Sequence, residues 1–190
     1  MEELKKQAKY LTDTGIAGDA SLILVKDGGA VKHLAYNKDG VTADGGDVAI
    51  YEEILAALPE SKVLAVNGAQ FSLYVGGTSG AFVPAVLDDV AQIIGRKTYI
   101  VHKGGDVKAN IIKYLSKYSA CIVEGVGIVA CGRNSDEAAT AALVAEKGAI
   151  AYAGGNAVGK AKKIPFLDAV IMRFVYKQKY SKIDVVKEEK

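Results

Sequence analysis

At 190 residues the chain is long enough for one domain that buries roughly 70% of its unfolded surface, and short for two. Half of its residues are apolar, 24% are charged and only three are proline, which excludes long disordered or linker segments. The 24 basic and 22 acidic side chains are interspersed and leave a net charge of +2, so the one-sided field of a polyanion-binding protein is missing and nucleic acid is not an expected partner.

The opening "MEELKKQAKYL" carries charges every few residues, unlike a signal peptide, and no segment offers ~18 uninterrupted apolar residues for a bilayer. A cytoplasmic protein with no membrane partner is expected. In residues 2–13, Leu4, Ala8 and Leu11 share a helical face and Gly15 supplies a stop. "SLILVKD" and "AVKHLAY" read as two strands. Gly28 and Gly29 between them tolerate the positive φ angles of a tight hairpin, which predicts antiparallel pairing.

Residues 44–58 predict a helix that begins with capping aspartates and ends at Pro59. "KVLAVNG" reads as a buried strand, "AQFSLYV" as a short helix and "GGTSGAF" as a loop. "PAVLDDVAQIIG" predicts a helix with Pro84 in its first turn and Gly95 at its end. The strand "KTYIVH" follows, then a helix capped by Asp106 in which Val107, Ile111, Ile112 and Leu115 repeat at helical spacing. Two apolar strands flank Gly125 and Gly127. A long helix then runs from Asn134 or Ser135 to about Tyr152, with Asn134 and Glu137 at capping-box spacing and a slim face of Ala138, Ala141, Ala142 and Ala145.

The last helix is expected to start near Pro165 and to present Leu167, Val170, Ile171, Phe174 and Val175 to the core. Residues 1–180 then form a single domain and 181–190 a polar tail. Helices mixed with hairpin-linked strands predict an α/β sandwich around a mixed, largely antiparallel sheet.

Motifs with possible chemistry are few. Gly154, Gly159 and Lys160 in "GGNAVGKA" satisfy part of a phosphate-binding loop. The segment follows a long helix instead of a strand, however, and Ala161 stands where a magnesium-binding hydroxyl is needed, which favours a helix end and connector. His33 and His102 fall in separate strands, and no H-x-H, H-E-x-x-H or C-x-x-C string occurs, so no zinc site is indicated. Cys121 and Cys131 lie inside apolar runs and read as buried reduced thiols. Neither has a local activator, and no G-x-S-x-G elbow is present. "RFVYKQKYSK" interleaves bases with tyrosines as a single-strand binder does, but a solvated helix end with Glu188 and Glu189 close behind explains it better.

"IVEGVGIVACGRNSDEAATAALVAEKGA" resembles the late segment of the class II aldolase and adducin head-domain family, in which a strand leads to Asn-His-Gly, a second strand, a glycine and a helix. "LTDTGIAGDAS" is similar to the family's opening helix, turn and Gly-Asn-x-Ser motif, and "IYEEILAALPESKVLAVNGA" to its helix, proline and buried strand. The resemblance runs over about residues 5–153. It implies a three-layer α/β/α sandwich, often assembled as a cyclic tetramer.

The resemblance also implies where a site would stand. The three zinc histidines of active members fall on Val66, Gly68 and Val126, the catalytic glutamate on Asp47, and two phosphate-binding serines on Gly45 and Gly46. Gly-Asn-x-Ser reads Gly18, Asp19, Ala20, Ser21, so a carboxylate replaces a phosphate donor, and "YNKDG" replaces the family's Thr-Pro-Ser-Gly turn. Retro-aldol cleavage leaves an enediolate that the metal stabilises as a Lewis acid, and no lysine is singled out to substitute by a Schiff base. The expectation is a homo-oligomeric, aldolase-like scaffold with no metal or cofactor, serving binding or assembly. Asp47, Asn67 and Glu124 are the expected contacts of a small polar ligand, and the alternative is a metal-independent acid–base enzyme of lyase or isomerase type on a small carbonyl or sugar-phosphate substrate, with Asp47 or Glu124 as base.

Overall fold

The computed structural model describes residues 1–42 and 48–180. Eight strands form one sheet: β1 (Ser21–Asp27), β2 (Ala30–Asn37), β3 (Gly40–Thr42), β4 (Val63–Asn67), β5 (Phe82–Pro84), β6 (Lys97–Val101), β7 (Ala120–Val123) and β8 (Gly127–Gly132). Their order is β3-β2-β1-β4-β8-β7-β6-β5. Every neighbouring pair is antiparallel except β6 with β7, so the sheet is mixed and largely antiparallel, as the hairpin signals predicted. Gly28 and Gly29 take φ of 59° and 89° at the β1–β2 turn, which closes the Asp27–Ala30 pair.

Helices cover both faces, because strand residues alternate between two apolar clusters. Ile23, Val63, Ala65, Ile128 and Ala130 belong to one cluster, together with Leu4, Ala8 and Leu11 of α1 (Glu2–Asp13) and the alanines of α5 (Ser135–Ala157). Leu22, Leu24, Leu64, Val66, Cys121 and Val129 belong to the other, with Ile54 and Leu55 of α2 (Val48–Ala56) and Ile111 and Leu115 of α4 (Val107–Leu115). The result is the three-layer α/β/α sandwich. Alanine at 138, 141, 142, 145 and 149, each at most 1% exposed, lets α5 lie close against the sheet. Asn134 caps α5 by accepting from the Glu137 amide at 2.9 Å. The aspartates expected to cap α2 lie outside the described residues.

Three expectations need correction. "PAVLDDVAQIIG" is not one helix, because Pro84 ends β5, an edge strand in which a missing amide costs no ladder bond. Helical turns begin only after it and widen into a π turn over Val90–Ile94, closed by Gly95 N donating to Val90 O at 2.8 Å. Helix α5 continues past Tyr152 to Ala157. The largest correction concerns α6 (Phe166–Tyr180): Leu167, Val170, Ile171, Phe174 and Val175 face solvent, with Leu167 68% and Phe174 62% exposed.

The inward side of α6 is carried instead by Ala169, 1% exposed, and by Met172 and Arg173. Nη1 of Arg173 donates to the carbonyls of Gln92 and Ile93 at 3.3 and 2.6 Å, and Nη2 to that of Lys117 at 3.4 Å. The Ile93 carbonyl also accepts from the Ser119 hydroxyl at 2.9 Å, and Arg173 fixes which face of α6 looks inward. The tail expected over residues 181–190 lies outside the described residues.

Candidate functional site

Both β4 and β7 run antiparallel to β8, and β6 is parallel to β7, so β4, β6 and β7 end at the same edge of the sandwich. The segments leaving these ends are Gly68–Ala69, His102–Lys103 and Glu124–Val126. Gly125 and Gly127 take φ of 73° and 102°, a turn closed by Val126 N donating to Val123 O at 3.0 Å. Backbones touch here. A Cβ on Gly18 would lie 2.3 Å from Gly68 O, and one on Gly127 would lie 2.3 Å from Asn67 O.

The positions onto which the resemblance carries the zinc histidines do come together. Val66 is buried in the α2–α4 cluster, Val126 packs against that cluster, and a Cβ on Gly68 would lie 3.7 Å from the Val126 carbonyl oxygen. Their side chains are two isopropyl groups and a hydrogen, none with a lone pair, so these residues do not fit a zinc ion. Among the described residues no group of three histidine, cysteine, aspartate or glutamate side chains is arranged to hold a metal. Asp47, with Gly45 and Gly46, lies outside the described residues.

Asn67 alternates with Val66 and points to the other face of the sheet. It is fully buried, and its Oδ1 accepts from the Tyr36 hydroxyl at 2.5 Å while Nδ2 has no partner. Burial pushes the Tyr36 phenol far above its ordinary range, although the bond to Asn67 works the other way. The pair is a neutral polar contact inside the α1–α5 layer.

Glu124 stands at the sheet edge and keeps solvent access. Its Oε2 accepts from the Lys103 amide at 3.1 Å and lies 3.3 Å from His102 Nδ1. The Lys103 amide is the main cause that holds this carboxyl below the usual glutamate range, against some desolvation, with His102 adding to it. The other ring nitrogen of His102, Nε2, lies 2.9 Å from Gly80 O. A neutral ring donates to only one of these two acceptors, whereas an imidazolium serves both. Residues 67 and 124 thus share one edge of the fold but not one environment: Asn67 is sealed inside and Glu124 is open.

Glu146, which sequence reasoning passed over, fastens the segment after Gly68. From the middle of α5 its carboxylate accepts from the amides of Phe71 and Ser72 at 2.8 and 2.9 Å and from the Ser72 hydroxyl, all at the head of α3 (Gln70–Gly76). It is 5% exposed. A glutamate within the buried alanine face of α5 was the signal that could have found it.

The remaining motifs find structural places. In the Gly-Asp-Ala-Ser segment Ser21 Oγ accepts from Gly18 N at 3.2 Å, and Asp19 lies 3.5 Å from Lys38 Nζ. Gly154 is inside α5, and Gly159 and Lys160 follow its end, so no phosphate-binding loop forms. Cys121 and Cys131 are buried free thiols, both raised above the ordinary cysteine range by burial. A cleft of about 630 Å³ lies at the opposite edge of the sandwich, lined by Leu115, Tyr118, Cys131, Asn134 and Arg173 among others. No described helix is long and apolar enough to cross a membrane.

The sequence matches no family model, and no curated protein sequence is significantly similar to it. Solved structures are similar over nearly the whole chain. An L-fuculose 1-phosphate aldolase superposes with a TM-score of 0.76 at 16% identity, covering 93% of this chain and 95% of the other. YgbL from Escherichia coli, a putative aldolase/epimerase/decarboxylase, gives 0.71 at 15% identity over 90% and 96%. The L-fuculose-1-phosphate aldolase of Thermus thermophilus gives 0.68 at 12% identity over 86% and 97%. The chain has the fold of the class II aldolases.

Proposed function

We propose that this chain is an aldolase-fold protein of the cytoplasm that has no metal or phosphate site and acts as a self-assembling binding scaffold, with residues 1–180 as its single domain. One observation carries the reading: Val66, Gly68 and Val126 converge at the sheet edge, and none offers a donor to a cation. Metal-assisted aldol chemistry relies on Lewis-acid stabilisation of an enediolate, worth several kcal/mol on the barrier, and aliphatic side chains supply none of it. Of Asp47, Asn67 and Glu124, we assign a small polar ligand to Glu124, the one with solvent access among the described residues.

Turnover of L-fuculose 1-phosphate and other small sugar phosphates, measured with added zinc and with a chelator, tests the reading. No cleavage is expected under either condition. Zinc-dependent cleavage would overturn it.

A second reading has one observation in its favour, the contact between Glu124 and His102 on an open edge. In that reading Glu124, with Asp47 as the other carboxylate, performs metal-independent acid–base chemistry on a carbonyl substrate. Its signature is turnover that survives a chelator and is lost in Glu124→Gln.

A further inference from the structure

We infer that the outer face of α6 is the surface on which a second copy of this chain docks, helix against antiparallel helix about a two-fold axis. The inference rests on the self-assembly part of the proposed function. It names the surface and the symmetry.

Three observations lead to it. The first is that nothing among the described residues covers the apolar face, since the carbonyls of Gln92, Ile93 and Lys117 hold Arg173 on the inward side and Ala169 fills the contact beneath. The second is area. Phe166, Leu167, Val170, Ile171, Phe174 and Val175 are between 43% and 68% exposed. Together they leave on the order of 700 Å² of apolar surface in water, above the ~300–600 Å² of the largest patch on a typical monomer and close to the ~800 Å² each partner buries in a standard interface.

The third is pattern. The six residues fall in two rows at four-residue spacing, 166/170/174 and 167/171/175, and the arrangement reads the same from either end. Antiparallel pairing therefore sets Phe166 of one copy against Val175 of the other, Leu167 against Phe174, and Val170 against Ile171, with no apolar residue left over. Such self-complementarity is what a two-fold interface requires. Charge argues against the parallel arrangement, which would set Asp168 against Asp168 and Lys177 against Lys177. Antiparallel helices avoid both like-charge pairs and set their dipoles in opposition.

Sedimentation of the full chain over a concentration series tests this, comparing wild type with the double variant Ile171→Glu/Phe174→Glu, whose folding is checked by circular dichroism. Wild type is expected to associate, and the folded variant to associate at least about 100-fold more weakly. A Leu167→Cys/Phe174→Cys double variant should link two copies on oxidation, while either single change should not, because Cys121 and Cys131 are buried. A wild-type monomer at all concentrations would overturn both this surface and the self-assembly reading. An oligomer that survives Ile171→Glu/Phe174→Glu would overturn the α6 assignment and leave self-assembly standing. Wild-type monomer that is captured by vesicles containing anionic lipid, and released by the double variant, would assign the face to a membrane instead.

Discussion

The carboxylate of Glu146 and the head of α3 at Ser72 are bound to each other across 74 residues of sequence, with two amides and one hydroxyl donating to one buried side chain. This contact ties the middle of α5 to the segment that leaves β4, so Gly68 is held in place from behind. Charge-assisted bonds from buried amides are among the stronger single contacts in a fold.

Glu146→Ala is predicted to cost about 3 kcal/mol, since the Ser72 amide and hydroxyl it leaves are buried and have nowhere else to go. Glu146→Gln keeps one acceptor oxygen and should cost about 1–2 kcal/mol. Urea unfolding of both variants measures this, and equal, negligible losses would show that the carboxylate is not the fastening.

Tyr36 and Asn67 form a buried pair that already leaves Nδ2 of Asn67 unpartnered. Tyr36→Phe removes the donor to Oδ1 and strands the whole amide, at an expected cost of about 1–3 kcal/mol. Replacing Asn67 by Leu in the Tyr36→Phe background should recover part of that loss, because two matched apolar groups need no partners. Thermal unfolding of the single and double variants checks the sign of the coupling.

The Glu124 carboxyl is held below the ordinary glutamate range in the folded chain, chiefly by the Lys103 amide. A depressed folded value means that this carboxylate adds stability above the unfolded glutamate pKa near 4.3 and that the addition fades as pH falls through the folded value. Wild type and Glu124→Gln should therefore converge in stability toward pH 3 and separate at pH 6. Parallel stability curves over that range would contradict the assignment.

Gly18 meets the Gly68 backbone so closely that a Cβ would lie 2.3 Å from its carbonyl oxygen, with no flexible side chain to yield. Gly18→Ala should destabilise the fold by about 3 kcal/mol, while Gly154→Ala, where a Cβ meets nothing within 4 Å inside α5, should be neutral or slightly stabilising. A pair of melting curves separates the two.

Local signals account for what was readable in the sequence. The Gly28–Gly29 hairpin, the Asn134 and Asp106 caps and the buried strand at 63–67 follow from positive φ, capping oxygens and unbroken apolar runs, each decided within a few residues. What stayed hidden depends on neighbours far along the chain. Periodicity identifies the stripe on α6 but not the direction it faces, which Arg173 settles through carbonyls some 80 residues away. Pro84 reads as a helix start until β6 is known to pair beside it. At the site, the packing of Val66 and Val126 into one cluster depends on how β4 and β8 pair, and the inward turn of Asn67 depends on strand parity and on Tyr36. Asp47 lies outside the described residues.

Calorimetric titration of the purified, chelator-treated chain with zinc is the most direct measure of whether this edge of the sheet holds a metal. The account predicts heats of weak, non-saturating association that are the same in wild type and in Glu124→Gln. One tight site per chain, abolished by disturbing the edge at Val66 or Val126, would contradict it.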